Sequence, residues 1–404
     1  MNSNLFSLPS MENVHIYEFI NSPYEAPFYS QSFNFIHGNK KIGIIDQFNG
    51  KRPIILNKEF IGGKALDVNI YQTLILDSHI VDILHRYVSG NGKLDDNLRM
   101  VTSDFLTHVS MLNCDYNPVF YLTENYAKSN KDQFIKTSSE KLSSILKLHS
   151  MNEHEYIQNG VMTYKKESVE YYCDTYHALD LDACGVSWAN QYAEHHHQDE
   201  SQKITKLSYA CLLKMVLIHF VSPEINSENI IKKYYEFERF LVNDLNLVLA
   251  RELNLALYYF SNFAGKFVSV QPNMRVETAK KALLSTAWDI FLLRMPEMLL
   301  SPNNLPELNL SYIVTSEEKL LSVGDMFNIE SIFYQDKKSP AFPVLSFNVK
   351  LFEKVLSQME LNELNQHGQI QAISRISKTS KHISTQSVDW LIEDLELQLR
   401  YLCA

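Results

Sequence analysis

An α/β fold is what this sequence predicts, and three observations carry the prediction. Tyr71-Gln72-Thr73-Leu74-Ile75-Leu76 is a short β-favouring run closed by Asp77, after which apolar residues recur at Ile80, Val81, Leu84 and Val88, the spacing of a helix. Leu310-Ser311-Tyr312-Ile313-Val314-Thr315 repeats that order, a buried strand followed by a helix from Glu317. Between the two, residues 129–275 carry long helical patterns with few strand signals.

Taken in order, residues 13–60 alternate short apolar runs with turn-formers, as in Phe33-Asn34-Phe35-Ile36, His37-Gly38-Asn39 and Ile42-Gly43-Ile44-Ile45. That pattern makes strands and hairpins, so residues 1–70 are expected to form a β-rich N-terminal extension. Residues 71–128 open the α/β core. Residues 129–275 then read as a helical insertion, including helices over Ile230 to Phe240 and Leu241 to Phe260. The core resumes over 276–340 with a helix from Lys280 to Leu293, the strand at 310–315 and a last strand at Ser331-Ile332-Phe333-Tyr334. Residues 341–404 are a helical tail, with helices expected from Val349 to Leu361 and from Val388 to Leu402.

A chain of 404 residues with 45% hydrophobic and 12% aromatic content has ample material for burial in two or more units. The longest apolar run, Leu207 to Phe220, is interrupted by Lys214 and His219 and covers 14 residues, which reads as a core helix and not a membrane span. The N-terminus lacks the basic start and apolar stretch of a secretion signal, so the expectation is a cytoplasmic protein without a membrane partner. Five cysteines without a paired C-x-x-C spacing read as reduced and structural. The net charge of −10 argues against a general coating of nucleic acid, although a local basic track is compatible with it.

The residues that point to chemistry are carboxylates placed where structured elements end or where burial is expected. Asp77 closes an apolar strand, a position that serves equally as a helix cap. Asp289 lies in Leu283-Leu284-Ser285-Thr286-Ala287-Trp288-Asp289-Ile290-Phe291-Leu292-Leu293, an unusually apolar helix for a free charge. It is expected to be paired, hydrogen-bonded or metal-bound if buried, and to lie on a wet face otherwise. Glu317 follows the 310–315 strand, where Thr315 and Glu318 also fit a capping box.

These pieces, in this order, resemble the PIN-like nuclease family. The matching stretches are Leu74-Ile75-Leu76-Asp77-Ser78-His79, Ala287-Trp288-Asp289-Ile290-Phe291-Leu292 and Tyr312-Ile313-Val314-Thr315-Ser316-Glu317. Asp104-Phe105-Leu106 and Tyr116 to Asn125 look like the segment that supplies a further acid, assigned to Glu124. The resemblance covers about residues 70–128 and 276–335 and implies a PIN-like parallel-sheet core interrupted by a large α-helical insertion. It further implies metal-dependent hydrolysis of phosphodiester bonds, RNA before DNA, with Mg²⁺ or Mn²⁺ held by Asp77, Glu124, Asp289 and Glu317. Hard oxygen ligands suit those ions. Arg375, Lys378 and Lys381, or Lys40 and Lys41, are the candidates for steering the substrate.

Two other readings stand beside this one. A non-catalytic interaction or regulatory protein would use the helical insertion to bind a protein partner or a second copy of the chain, and a toxin-like or antiviral effector would have its nuclease released by a partner. The run Glu194-His195-His196-His197-Gln198-Asp199-Glu200 reads as a polar helix end, because adjacent histidines on a helix point in different directions. His79, next to Asp77, is worth testing. Ile61-Gly62-Gly63-Lys64-Ala65 lacks the spacing of a phosphate loop, and neither a G-x-S-x-G elbow nor an H-E-x-x-H helix occurs.

Overall fold

The computed structural model of the protein describes residues 15–21, 33–57, 60, 62–63, 69–90, 94–112, 114–196, 199–247, 249–300, 307–324, 326–334, 342–346, 348–377 and 385–403. The fold is mixed α/β. Its strands are β1 His15–Ile20, β2 Phe33–His37, β3 Lys40–Ile45, β4 Arg52–Leu56, β5 Asn69–Leu76, β6 Asp115–Asn117, β7 Glu307–Thr315, β8 Asn328–Tyr334 and β9 Phe342–Ser346.

The helices of the first half are α1 Ser78–Ser89, α2 Asp96–Leu112, α3 Val119–Lys128, α4 Lys131–His149, α5 Glu153–Asn159, α6 Lys166–Tyr176 and α7 Leu181–His195. Those of the second half are α8 Asp199–Val221, α9 Ser227–Asn243, α10 Ala250–Phe260, α11 Val276–Leu299, α12 Glu318–Gly324, α13 Val349–Phe352, α14 Gln358–Ser377 and α15 Thr385–Leu402.

The central sheet has the order β2-β3-β7-β5-β6. Within it β5 runs parallel to both β7 and β6, while β3 is antiparallel to β7 and to β2. Leu74, Ile75 and Leu76 are all buried, because both faces of β5 are covered by helices. Ile75 and Ile313 face a core built from α8, α9, α10 and α11, whereas Leu74, Leu76, Tyr312 and Val314 face α1, α2 and α4. A strand dressed on two faces shows an apolar run, which is why these two segments are visible in the sequence.

The N-terminal strands are integral to both sheets. β3 pairs with β7, and β1 joins β4 to β8 in a second, antiparallel sheet of order β4-β1-β8-β9. Ile42, Ile44 and Ile45 are fully buried as a result. Local alternation marks these stretches as strands but carries no information about which distant strand they join.

Two predicted helices break. The stretch expected as one helix over Leu241 to Phe260 stops at Asn243 and restarts at Ala250, with Asn246 between them at φ 50°, a left-handed conformation that Asn tolerates. The helix expected from Val349 to Leu361 ends at Phe352, and α14 begins at Gln358 behind a capping box. There the Ser357 hydroxyl accepts from the Glu360 N–H at 3.3 Å and the Glu360 carboxylate accepts from the Ser357 N–H at 2.7 Å. Helix α8 extends beyond the apolar run predicted for it. Its Ser201–Val221 portion is long and apolar enough to cross a membrane, but 67% of the most apolar window is buried in the fold, chiefly against α15 and α11.

Gly185 sets the distance between α4 and α7. A Cβ added there would lie 2.4 Å from the Ser139 carbonyl oxygen and 2.7 Å from the Ser143 backbone nitrogen, neither of which can move without moving α4. Gly→Ala within a helix ordinarily stabilises by about 1 kcal/mol. Here Gly185→Ala is expected to do the opposite, lowering stability by about 1–3 kcal/mol through overpacking. Urea denaturation reads the sign directly, and a gain in stability would show that the two helices do not approach this closely.

Candidate functional site

Asp77 and Glu317 sit at the carboxyl ends of neighbouring parallel strands. Asp77 follows β5 directly and Glu317 comes two residues after β7. The chain leaves β5 for β6 on one side and returns as β7 on the other, so this is the point where strand order reverses, the usual place for a ligand crevice in an open α/β sheet. Asp289 is brought there by α11, the helix that precedes β7, and Glu124 by α3, which follows β6. All four predicted acids therefore meet at one sheet edge, each close enough to Asp77 or Asp289 to act on its ionisation.

Asp77 occupies the cap position of α1 but its side chain caps nothing. Its Oδ2 instead accepts a hydrogen bond of 2.7 Å from the Thr315 hydroxyl, a link between the ends of β5 and β7. The same hydroxyl accepts from the Glu317 N–H at 3.1 Å, so Thr315 is turned to Asp77 and Glu317. Asp77 is 6% exposed, and burial, reinforced by Glu317 and Glu124, pushes its carboxyl from 3.8 up to about 6.

Asp289 is buried beside Trp288, which packs edge-on against Phe120 and Phe291. Of the two expectations for this residue the buried one holds, and it has the partner that burial demands: the Lys319 ammonium, 2.7 Å from Oδ2. Desolvation still outweighs that attraction and, with Glu317 and Asp77 adding repulsion, lifts the carboxyl to about 7. Glu317 lies 3.2 Å from His79 Nε2 and 3.4 Å from Lys319, and its carboxyl is held below the ordinary range, first by the hydrogen bond to His79. That same bond raises His79. Glu124 accepts from the Ser78 hydroxyl and from Lys128, 2.6 Å away one helical turn on.

Ser78, Lys128 and Lys319 are not singled out by sequence, and Thr315 is marked there only as a helix cap, although Lys319 has a signal: it stands two residues beyond Glu317, on the first turn of a short helix. The basic residues expected to steer substrate fare differently. Lys40 pairs with Asp95 at 3.4 Å, and Lys41 lines a shallow cleft with Glu318, Leu321 and Ser322. Arg375 falls on α14, but its side chain, with Lys378 and Lys381, lies outside the described residues. In the histidine run, His195 and His196 end α7, and His197 and Gln198 lie outside the described residues.

The donor set is that of a hard divalent cation: four carboxylates and no thiolate. Two of them hold raised pKa values, first through burial and then through repulsion from neighbouring acids, so the residues fit such an ion in kind. As the side chains stand, however, no group of three His, Cys, Asp or Glu among the described residues is drawn close enough to hold one. No protein-family model, curated protein or solved structure matches the chain.

Proposed function

We propose that the protein is a metal-dependent nuclease with a PIN-like core, cleaving phosphodiester bonds, RNA in preference to DNA. The observation that carries this reading is the convergence of Asp77, Glu124, Asp289 and Glu317, from four separate segments, on the carboxyl edge of β5 and β7. Asp77 and Asp289 would be the principal ligands of Mg²⁺ or Mn²⁺, with Glu124 and Glu317 completing the set. Such an ion, when bound, activates a water and offsets the charge that develops on the phosphodiester.

The chain's own residues supply the rest. Thr315 fixes the Asp77 carboxylate through its hydroxyl, so one lone pair of Oδ2 is spoken for. Lys128, tethered to Glu124 and 5.9 Å from the Trp288 ring, and the exposed His79 present donors at the rim where phosphate oxygens would approach.

A second reading has its own supporting observation. Lys319 neutralises Asp289 and Glu317 from within, as a site retired from catalysis would, which favours a non-catalytic interaction or regulatory protein. Incubation with panels of RNA and DNA in Mg²⁺, Mn²⁺ or chelator separates the two. Cleavage that chelator abolishes supports the nuclease, and intact substrate under every metal condition leaves the binding protein.

A further inference from the structure

Among the described residues, Lys319 is the lysine that bridges two of the four acids. Its ammonium is 2.7 Å from Asp289 Oδ2 and 3.4 Å from Glu317 Oε2, and its side chain is 29% exposed, so one side of it opens to solvent. The backbone that carries it is fixed, since α12 starts at Glu318 and the Leu320 and Leu321 N–H groups bond to the Glu317 carbonyl. Tethering on so short an arm presents the ammonium to these carboxylates at a high effective concentration.

We propose that Lys319 is a built-in competitor of the divalent ion, holding the Asp289 and Glu317 carboxylates until the metal displaces its ammonium toward solvent. The inference rests on the nuclease reading, because it concerns the same acids. An ion cannot take both carboxylates while the ammonium stays between them, because like charges in that space repel. Lysine suits this role, being a compact point charge on a flexible stem that leaves without dragging the backbone. The consequence is a site whose apparent affinity for the ion is lowered in proportion to the fraction of molecules in which the ammonium is in place.

The test is Mn²⁺ binding to the full-length chain, read by the loss of the free-ion electron paramagnetic resonance signal, for wild type, Lys319→Met, Lys319→Gln and Lys319→Arg. The Met and Gln variants are expected to bind at least tenfold more tightly than wild type, and Lys319→Arg, which keeps the charge, to remain within a few-fold of it. Two neutral variants guard against the misfolding of one, and the rise in melting temperature on adding Mn²⁺ reports the same difference independently. Equal Mn²⁺ affinity in wild type and both neutral variants overturns the competitor role while leaving the metal reading standing. Absence of Mn²⁺ binding by all four proteins overturns both.

Discussion

Asp77→Asn and Asp289→Asn are each expected to reduce metal-dependent cleavage by about 10³-fold or more, because charge stabilisation by a held cation is worth several kcal/mol and each 1.36 kcal/mol is tenfold in rate. The same substitutions are expected to leave the fold intact and, at alkaline pH, to make it more stable. The sign follows from burial. Each carboxyl titrates higher in the folded chain than the usual 3.8, Asp77 at about 6 and Asp289 at about 7. A raised acid contributes stability that is fully present below about pH 4 and lost as pH climbs through the folded value, so above pH 7 the native state carries the cost of both ionised groups. For Asp289 that cost is on the order of 4 kcal/mol, part of which an amide avoids, and a gain of about 1–3 kcal/mol at pH 8 is expected. Cleavage assays paired with urea denaturation at pH 5 and pH 8 check both halves. Unchanged cleavage by the two variants sinks the nuclease assignment, while a loss of stability at pH 8 would show that the Lys319 pairing outweighs the desolvation.

What the sequence discloses and what it withholds divide along the range of the interactions involved. The strand ending at Asp77, the strand ending at Thr315 and the helix bearing Asp289 are legible because each is written in a local apolar pattern. The partner choices of β1 and β3 are not, since Ile42 to Ile45 would alternate in the same way against any neighbour, and only the folded chain sets them beside β7. The helix stop before Ala250 had a readable sign in Asn243-Asp244-Leu245-Asn246, and the start of α14 had a better one in Ser357-Gln358-Met359-Glu360. At the site, the four acids named from chain order lie at the ends of elements that meet at one end of the sheet. The countercharges escaped because a lysine in a first helical turn has the same appearance in sequence whether its ammonium reaches water or a carboxylate buried on another helix.

The largest structural effect is expected further along the helix that carries Asp289, at a buried quartet of ions. Arg251 is 1% exposed and Glu252 is fully buried. Arg251 bonds Glu297 at 2.7 Å and the Gln47 side chain at 2.9 Å, while Arg294 grips both oxygens of Glu252, which also accepts from Ser208 at 2.6 Å. The quartet joins α10 to α11, the helix that carries Asp289, and through Gln47 it reaches the loop after β3. Four charges removed from water hold one another in place, so the loss of one strands its partner. Arg251→Met is expected to cost about 3–5 kcal/mol, chiefly the cost of leaving Glu297 buried without its 2.7 Å countercharge, Arg294 being farther away at 3.9 Å. Removing both members of the pair removes the stranded charge as well, so Arg251→Met with Glu297→Leu should cost well under the sum of the two single changes. A double-mutant cycle by urea denaturation measures that difference directly. Additivity within about 0.5 kcal/mol would mean that each side chain acts alone and that packing, not charge pairing, is what fastens α11 to α10.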